Sequence, residues 1–196
     1  MIEEFELLGK TPNAWTECVI DNFDDFLLDH AACEKKAAGM AISMISHYPD
    51  RAALVSAMCD LAVEEMCHFR EVVKLIQARN LQLGKDEKDP YIAQLRNFVS
   101  KGKDDYFLDR LLMASVVEAR GAERFALIAK ALNTADQSPL QKFYTAIAQS
   151  ESRHYTLFLE LAHRYFSEEN TAKRLDEWLT FETDIMLDVA IRPALH

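Results

Sequence analysis

The sequence predicts an all-α fold: a four-helix bundle of two helical hairpins, joined by a long crossover and followed by an additional C-terminal helix. Three observations carry this. Only five glycines and five prolines occur in 196 residues, and they punctuate long stretches in which apolar residues recur with a 3.6-residue period. Nothing alternates with the period of two that a half-buried strand shows. One motif is used twice, Glu34 followed by Glu65-Met-Cys-His68 and Glu118 followed by Glu151-Ser-Arg-His154, each leading glutamate about thirty residues upstream of its pair. A duplicated helical hairpin has that signature.

Thr11-Pro12 opens the first helical region, with Thr11 as the expected cap and proline at the first helical position, where a missing N–H does no harm. The pattern runs to about His47, with a break expected at Asp21-Asn22, and Tyr48-Pro49-Asp50 stops it. A second helix is expected from about Arg51 to Arg79, ending in the stretch Asn80 to Gly84. The crossover, Leu83 to Asp105, holds a short helix around Tyr91 to Val99. It carries Lys85, Lys88, Arg96, Lys101 and Lys103 against Asp86, Glu87, Asp89 and Asp104, so it is mixed in sign; substrate binding is one role it suggests. A third helix runs from about Asp104 to Leu132, closed by Asn133-Thr134-Ala135, and a fourth from Pro139 to Tyr165. The fifth, Glu168 to Ala190, bears Leu175, Trp178, Leu179, Ile185 and Leu187 and is expected to pack outside the bundle.

A chain of this length fills one core and is short for two, so a single domain over residues 1–196 is expected. Apolar residues make up 49%, yet no stretch approaches the ~18 uncharged apolar residues of a membrane span. The start, Met1-Ile-Glu-Glu-Phe-Glu6, is acidic where a secretory signal is basic and then apolar. Cys18, Cys33, Cys59 and Cys67 form no Cys-x-x-Cys unit and fall within helical patterns, where free cysteine acts as a small buried hydrophobe. These features together predict a cytoplasmic protein with no membrane partner. A net charge of −10 argues against non-specific nucleic-acid binding, so any RNA partner must use a local patch.

Residues i and i+3 share a helix face, so each Glu-x-x-His can aim a carboxylate and an imidazole at one ion. A single such pair is weak, since a solvated pair on an outer face is commonplace. Here the faces discriminate. Glu65 lies on a stripe with Leu54, Met58, Leu61, His68, Val72 and Ile76, and Glu151 on one with Leu140, Ile147, His154, Phe158 and Leu161. Glu34 shares a face with Leu27, Ala31, Ala38 and Ile45, and Glu118 with Leu111, Ala114, Ala122 and Phe125. Four inward carboxylates and two imidazoles are the ligand set of di-iron and di-manganese carboxylate proteins. Two divalent ions balance the four charges, whereas burying those groups without metal would be prohibitively costly. The predicted metal ligands and catalytic residues are therefore Glu34, Glu65, His68, Glu118, Glu151 and His154. Bundle geometry assigns Glu65 and Glu151 as bridging, with Glu34 and His68 completing one metal and Glu118 and His154 the other. Carboxylate and imidazole donors without thiolate suit two iron ions, ahead of manganese.

Glu64, Glu123 and Glu160 fall off these stripes and are excluded as ligands. Glu64 and Ser150 each precede a Glu-x-x-His, where a side chain could reach the other hairpin's imidazole and fix its tautomer. Arg120, Glu123 and Arg124 read either as an ion-pair cluster on the helix or, for the two arginines, as a hold on the phosphate of an RNA partner.

Four segments, Asp29-His-Ala-Ala-Cys-Glu34-Lys-Lys-Ala-Ala-Gly39, Glu64-Glu-Met-Cys-His68-Phe69, Val117-Glu-Ala-Arg-Gly-Ala-Glu-Arg-Phe125 and Glu151-Ser-Arg-His154-Tyr155, resemble the MiaE family of bacterial tRNA hydroxylases over nearly the whole chain, with no departure at a ligand position. The resemblance implies a ferritin-like fold. It also implies a non-haem di-iron monooxygenase that uses dioxygen to hydroxylate the isopentenyl side chain of methylthio-isopentenyl-adenosine beside the tRNA anticodon. Two electrons would come from a ferredoxin-type or reductase partner, since the chain has no flavin fingerprint, Rossmann glycine motif or iron–sulfur cysteine run. The competing readings are a ferritin-like ferroxidase or peroxide scavenger without organic substrate, and a non-catalytic helical binding module. A monomer or small homo-oligomer is expected of the hydroxylase, a large shell of a storage protein.

Overall fold

A computed structural model describes residues 5–132 and 139–196, and every regular element among them is helical. The elements are α1 (Asn13–Asp21), α2 (Phe23–His47), α3 (Ala52–Ala78), α4 (Pro90–Asn97), α5 (Lys103–Ala131), α6 (Pro139–Tyr165) and α7 (Glu168–Asp188). The expected break falls at Asn22, whose backbone N–H and side-chain Nδ2 both donate to the Cys18 carbonyl, at 3.1 and 2.9 Å. An amide side chain competing for the ladder's own acceptor is what lets the chain turn there. α3 stops at Asn80, which takes a left-handed φ of 59°; Asn80 N–H then reaches Gln77 O and Leu81 N–H reaches Ile76 O. That pair of bonds satisfies carbonyls the helix end would orphan. The expected stop at Asn133-Thr134-Ala135 lies outside the described residues.

The chain forms two compact units: Lys88–Ile191 with Met1–Thr16 and His196, and Glu17–Glu87 with Arg192–Leu195. In the first, α5 packs along α6, and α7 lies against α5, α4 and α6; in the second, α2 packs along α3. α5 is buried almost all round, with Ala119, Gly121, Ala122 and Ala129 allowing close approach of its neighbours. No helix among the described residues is long and apolar enough to cross a membrane.

Three expectations need correction. Thr11 does not cap α1: its N–H and Oγ1 both bond the Glu123 carboxylate, at 3.0 and 2.7 Å, so a long-range partner has taken the capping group. Leu187 is 66% exposed, because the stripe α7 buries is Thr171, Leu175, Trp178, Leu179, Glu182, Ile185 and Met186. The cysteines are free but not buried, and Cys59 is exposed.

Asp109 on α5 joins three segments of the first unit. It is 1% exposed and accepts bonds from Ser100 N, Arg174 Nε and Nη2, and Trp178 Nε1 at 2.7–2.9 Å. Burial works against its charge, but these donors outweigh it and hold the carboxyl below its ordinary range.

Asp89 caps α4, accepting from Tyr91 N and Ile92 N at 2.9 and 3.2 Å ahead of Pro90. Burial opposes its ionisation, yet His196 and those two N–H groups prevail and lower its pKa from 3.8 to about 2. The folded state thus favours the ionised form, so this stabilisation is present above pH 4 and fades as pH falls toward 2. Urea unfolding across that window is expected to show a steeper loss in the wild type than in Asp89→Asn, and equal slopes would refute the assignment.

Candidate metal centre

Each unit contains one predicted triad. In the second unit α2 supplies Glu34 and α3 supplies Glu65 and His68, placed one turn apart by their i, i+3 spacing. The two carboxylates are 3% and 1% exposed. His68 Nδ1 lies 3.5 Å from Glu34 Oε2 and 3.5 Å from Glu65 Oε2, and the three residues can bring one ligand atom each within 4.8 Å of one another. Burial of the imidazole disfavours its charge, but the hydrogen bonds and charges of Glu34 and Glu65 outweigh it and raise its pKa from 6.5 to about 10. The proton there answers the same demand for positive charge that a metal ion would meet.

In the first unit α5 supplies Glu118, and α6 supplies Glu151 and His154. His154 Nδ1 lies 3.3 Å from Glu151 Oε2 and 3.9 Å from Glu118 Oε2, and these three also offer ligand atoms within 4.8 Å of one another. Their exposures are 3%, 4% and 8% for His154, Glu151 and Glu118. The structure therefore brings the six predicted residues together as two triads, each of two buried carboxylates and one imidazole, with His154 buried and His68 partly exposed.

The donor set fits a divalent metal. Two carboxylates facing a single imidazole leave negative charge in a low-dielectric setting, which is costly unless a cation neutralises it. Oxygen and imidazole donors select iron, manganese or zinc-like ions over soft ones. Of the two thiols next to a predicted ligand in sequence, Cys33 and Cys67, Cys33 turns toward Asp29, with Sγ 3.6 Å from Oδ2.

The excluded acids are engaged elsewhere: Glu123 is held by Thr11 and Arg120, and Glu160 is exposed. Glu64 lies 4.0 Å from Nε2 of its own helix's His68, and Ser150 Oγ accepts from Arg153 at 3.0 Å. The tRNA-phosphate reading of Arg120 and Arg124 is overturned by their burial, at 0% and 5% exposure. Nor is theirs a simple cluster on one helix. Arg120 makes a bidentate pair with Glu182 of α7 and also donates to Gly9 O, while Arg124 lies 4.9 Å over the Trp15 ring and donates to Thr11. Burial lowers the Arg124 pKa from 12.5 to about 10.

Sequence reasoning passed over His30. It is fully buried on α2, one turn before Glu34, and its Nε2 lies 2.6 Å from Glu34 Oε1. Extending the Glu34 stripe back by four residues would have found it.

The model of one family, described as tRNA-(MS[2]IO[6]A)-hydroxylase (MiaE), matches residues 2–196. A relative from Pseudomonas putida, named tRNA 2-(methylsulfanyl)-N(6)-isopentenyladenosine(37) hydroxylase, is 35% identical over 83% of this chain and 78% of its own. A protein of the same name from Salmonella typhimurium is 28% identical over 90% of this chain and 82% of its own. Among solved structures, a Synechococcus protein described as having aldehyde deformylating oxygenase activity matches 98% of this chain and 96% of its own, with a TM-score of 0.91 and 33% identity.

Proposed function

The chain belongs to the MiaE family of tRNA hydroxylases, a ferritin-like all-α family, and from that premise we propose that it hydroxylates the isopentenyl group of methylthio-isopentenyl-adenosine in tRNA at a di-iron centre. The observation that supports this most is the pair of Glu, Glu, His triads with buried carboxylates, one from each copy of a duplicated hairpin. In this reading Glu34, Glu65 and His68 would hold one iron, and Glu118, Glu151 and His154 the other.

When bound, the metal pair supplies dioxygen reduction with two electrons from a ferredoxin- or reductase-type donor. In the balanced reaction one oxygen atom enters an allylic C–H bond, and the other leaves as water with two protons. The protein's part is charge and position. Four carboxylates neutralise the ions, and the i, i+3 spacing fixes each imidazole beside its glutamate. Leu61, Val72 and Ile76 on α3, and Ile147, Phe158 and Leu161 on α6, keep water from the ligand faces. The setting of such an enzyme is the cytoplasm.

Iron-loaded protein, a chemical reductant, air and isopentenylated tRNA make the test, with nucleosides read by mass spectrometry. A gain of one oxygen atom in wild type and not in Glu65→Ala is expected. Rapid ferrous oxidation or peroxide consumption without that gain would favour the ferroxidase or scavenger reading. A second reading rests on the Synechococcus likeness, and a parallel incubation with an aldehyde tests it: loss of the aldehyde carbonyl without tRNA turnover would favour it.

A further inference from the structure

The segment Cys33-Glu34-Lys35-Lys36 holds a proposed metal ligand, but metal binding gives its two lysines nothing to do. Glu34 is buried, whereas Lys35 and Lys36 leave the outer side of α2 and are exposed. Each has a partner in the same compact unit. Lys35 Nζ donates to Asp86 Oδ1 at 2.8 Å, and Lys36 Nζ to the Glu87 carbonyl at 2.9 Å. Those acceptors lie in a strap, residues 81–89, which follows α3 without regular structure and is exposed from 82 to 88. Its one large apolar side chain beyond Leu81, that of Leu83, is 48% exposed, so the two lysine contacts rather than apolar burial tie the strap to α2.

The Lys35–Asp86 pair is made to be exchanged. Its side chains are 46% and 43% exposed, and pairs in that setting contribute little to stability. An ammonium facing one carboxylate oxygen would meet a phosphate oxygen in the same way. Adjacent residues on a helix do not face each other, so the two lysine stems set out in different directions and can meet successive phosphates. A chain of net charge −10 needs a local basic patch to hold RNA, and Arg120 and Arg124 are committed to the interior.

We propose that Lys35 and Lys36 contact the phosphate backbone of the RNA substrate, and that Asp86 is an internal competitor that occupies Lys35 until a phosphate displaces it. The strap then swings off α2, and Lys85, exposed beside Asp86, is the further cation it carries. This inference deepens the tRNA reading proposed above and rests on it.

Full-length isopentenylated tRNA is the probe, its binding to the full chain followed by fluorescence anisotropy without reductant at several salt concentrations. Lys35→Gln and Lys36→Gln should each weaken binding and lower the slope of log affinity against log salt by about one. Asp86→Asn should do the opposite and tighten binding several-fold at low salt. Glu71→Gln is the control, an equal change in net charge at another exposed pair, with Lys74, and should stay near wild type. Equal tightening by Asp86→Asn and Glu71→Gln would overturn the inference, because net charge alone would be the cause. Wild-type affinity and slope in every variant would overturn it too, leaving the lysines as tethers of the strap. A wild type that binds no tRNA even at the lowest salt would overturn the tRNA reading itself, a result distinct from normal binding that the variants leave unaltered.

Discussion

Glu182→Ala is expected to destabilise the fold by about 3–5 kcal/mol, the cost of removing one partner of a buried charge pair. Arg120 and Glu182 are both fully buried, and their contact is bidentate, Nε to Oε1 at 2.8 Å and Nη2 to Oε2 at 2.9 Å. Tyr91 also donates to Oε1 at 2.9 Å. Burial, then the Glu182 charge, push the Tyr91 hydroxyl well above its ordinary pKa, so it stays a donor. Removing the carboxylate would strand a guanidinium and a phenol, with Glu123 as the acid still touching Arg120. For a chain of this size each kcal/mol shifts Tm by roughly 2–4 °C, so thermal unfolding by circular dichroism should fall by about 10 °C. The exposed pair Arg79–Asp24 is the control: Asp24→Ala should hardly move Tm, since exposed pairs contribute little. A loss in Glu182→Ala no larger than the control's would mean that the surrounding hydroxyls and carbonyls suffice for Arg120.

That network also bears on where tRNA can be held. The arginines nearest Glu118 in sequence are committed to the interior, so the phosphate contacts of the proposed substrate fall to other side chains. Their commitment was hidden in the sequence for a definite reason. Periodicity reports which face a residue occupies but not what it meets there, and the partners of Arg120 lie 62 and 111 residues away at Glu182 and Gly9. Asp109 is the same case, an acid in an apolar stretch whose donors come from residues 100, 174 and 178. Local signals did better. The break at Asn22, the stop at Asn80 and the start at Pro139 each depend on chemistry within one turn, and all were legible. The grouping of the two Glu, Glu, His triads was legible because its logic is local too: i, i+3 spacing on an apolar stripe. His30 was equally local and went unread because the search for ligands stopped at acids and at the repeated pair.

The triads predict a conflict between stability and function, and Glu118→Leu exposes it. In the first unit two buried carboxylates, Glu118 and Glu151, share the single imidazole of His154. Removing Glu118 leaves Glu151 Oε2 3.3 Å from His154 Nδ1, and leucine fills the space with apolar atoms on a face already lined by Leu111 and Phe125. Replacing buried charge by packed hydrocarbon is often stabilising by about 1–4 kcal/mol, so the metal-free variant should unfold later than the metal-free wild type. Added metal should then reverse the order. Wild type gains binding energy through the native state and its Tm rises with metal concentration, whereas the variant, short of a ligand, gains little. Its hydroxylation should fall by more than the about 100-fold that losing a mere neighbour of a ligand produces. A metal-free variant less stable than metal-free wild type would show that Glu118 is retained for packing or hydrogen bonding, and would count against the triad as a site built for a cation.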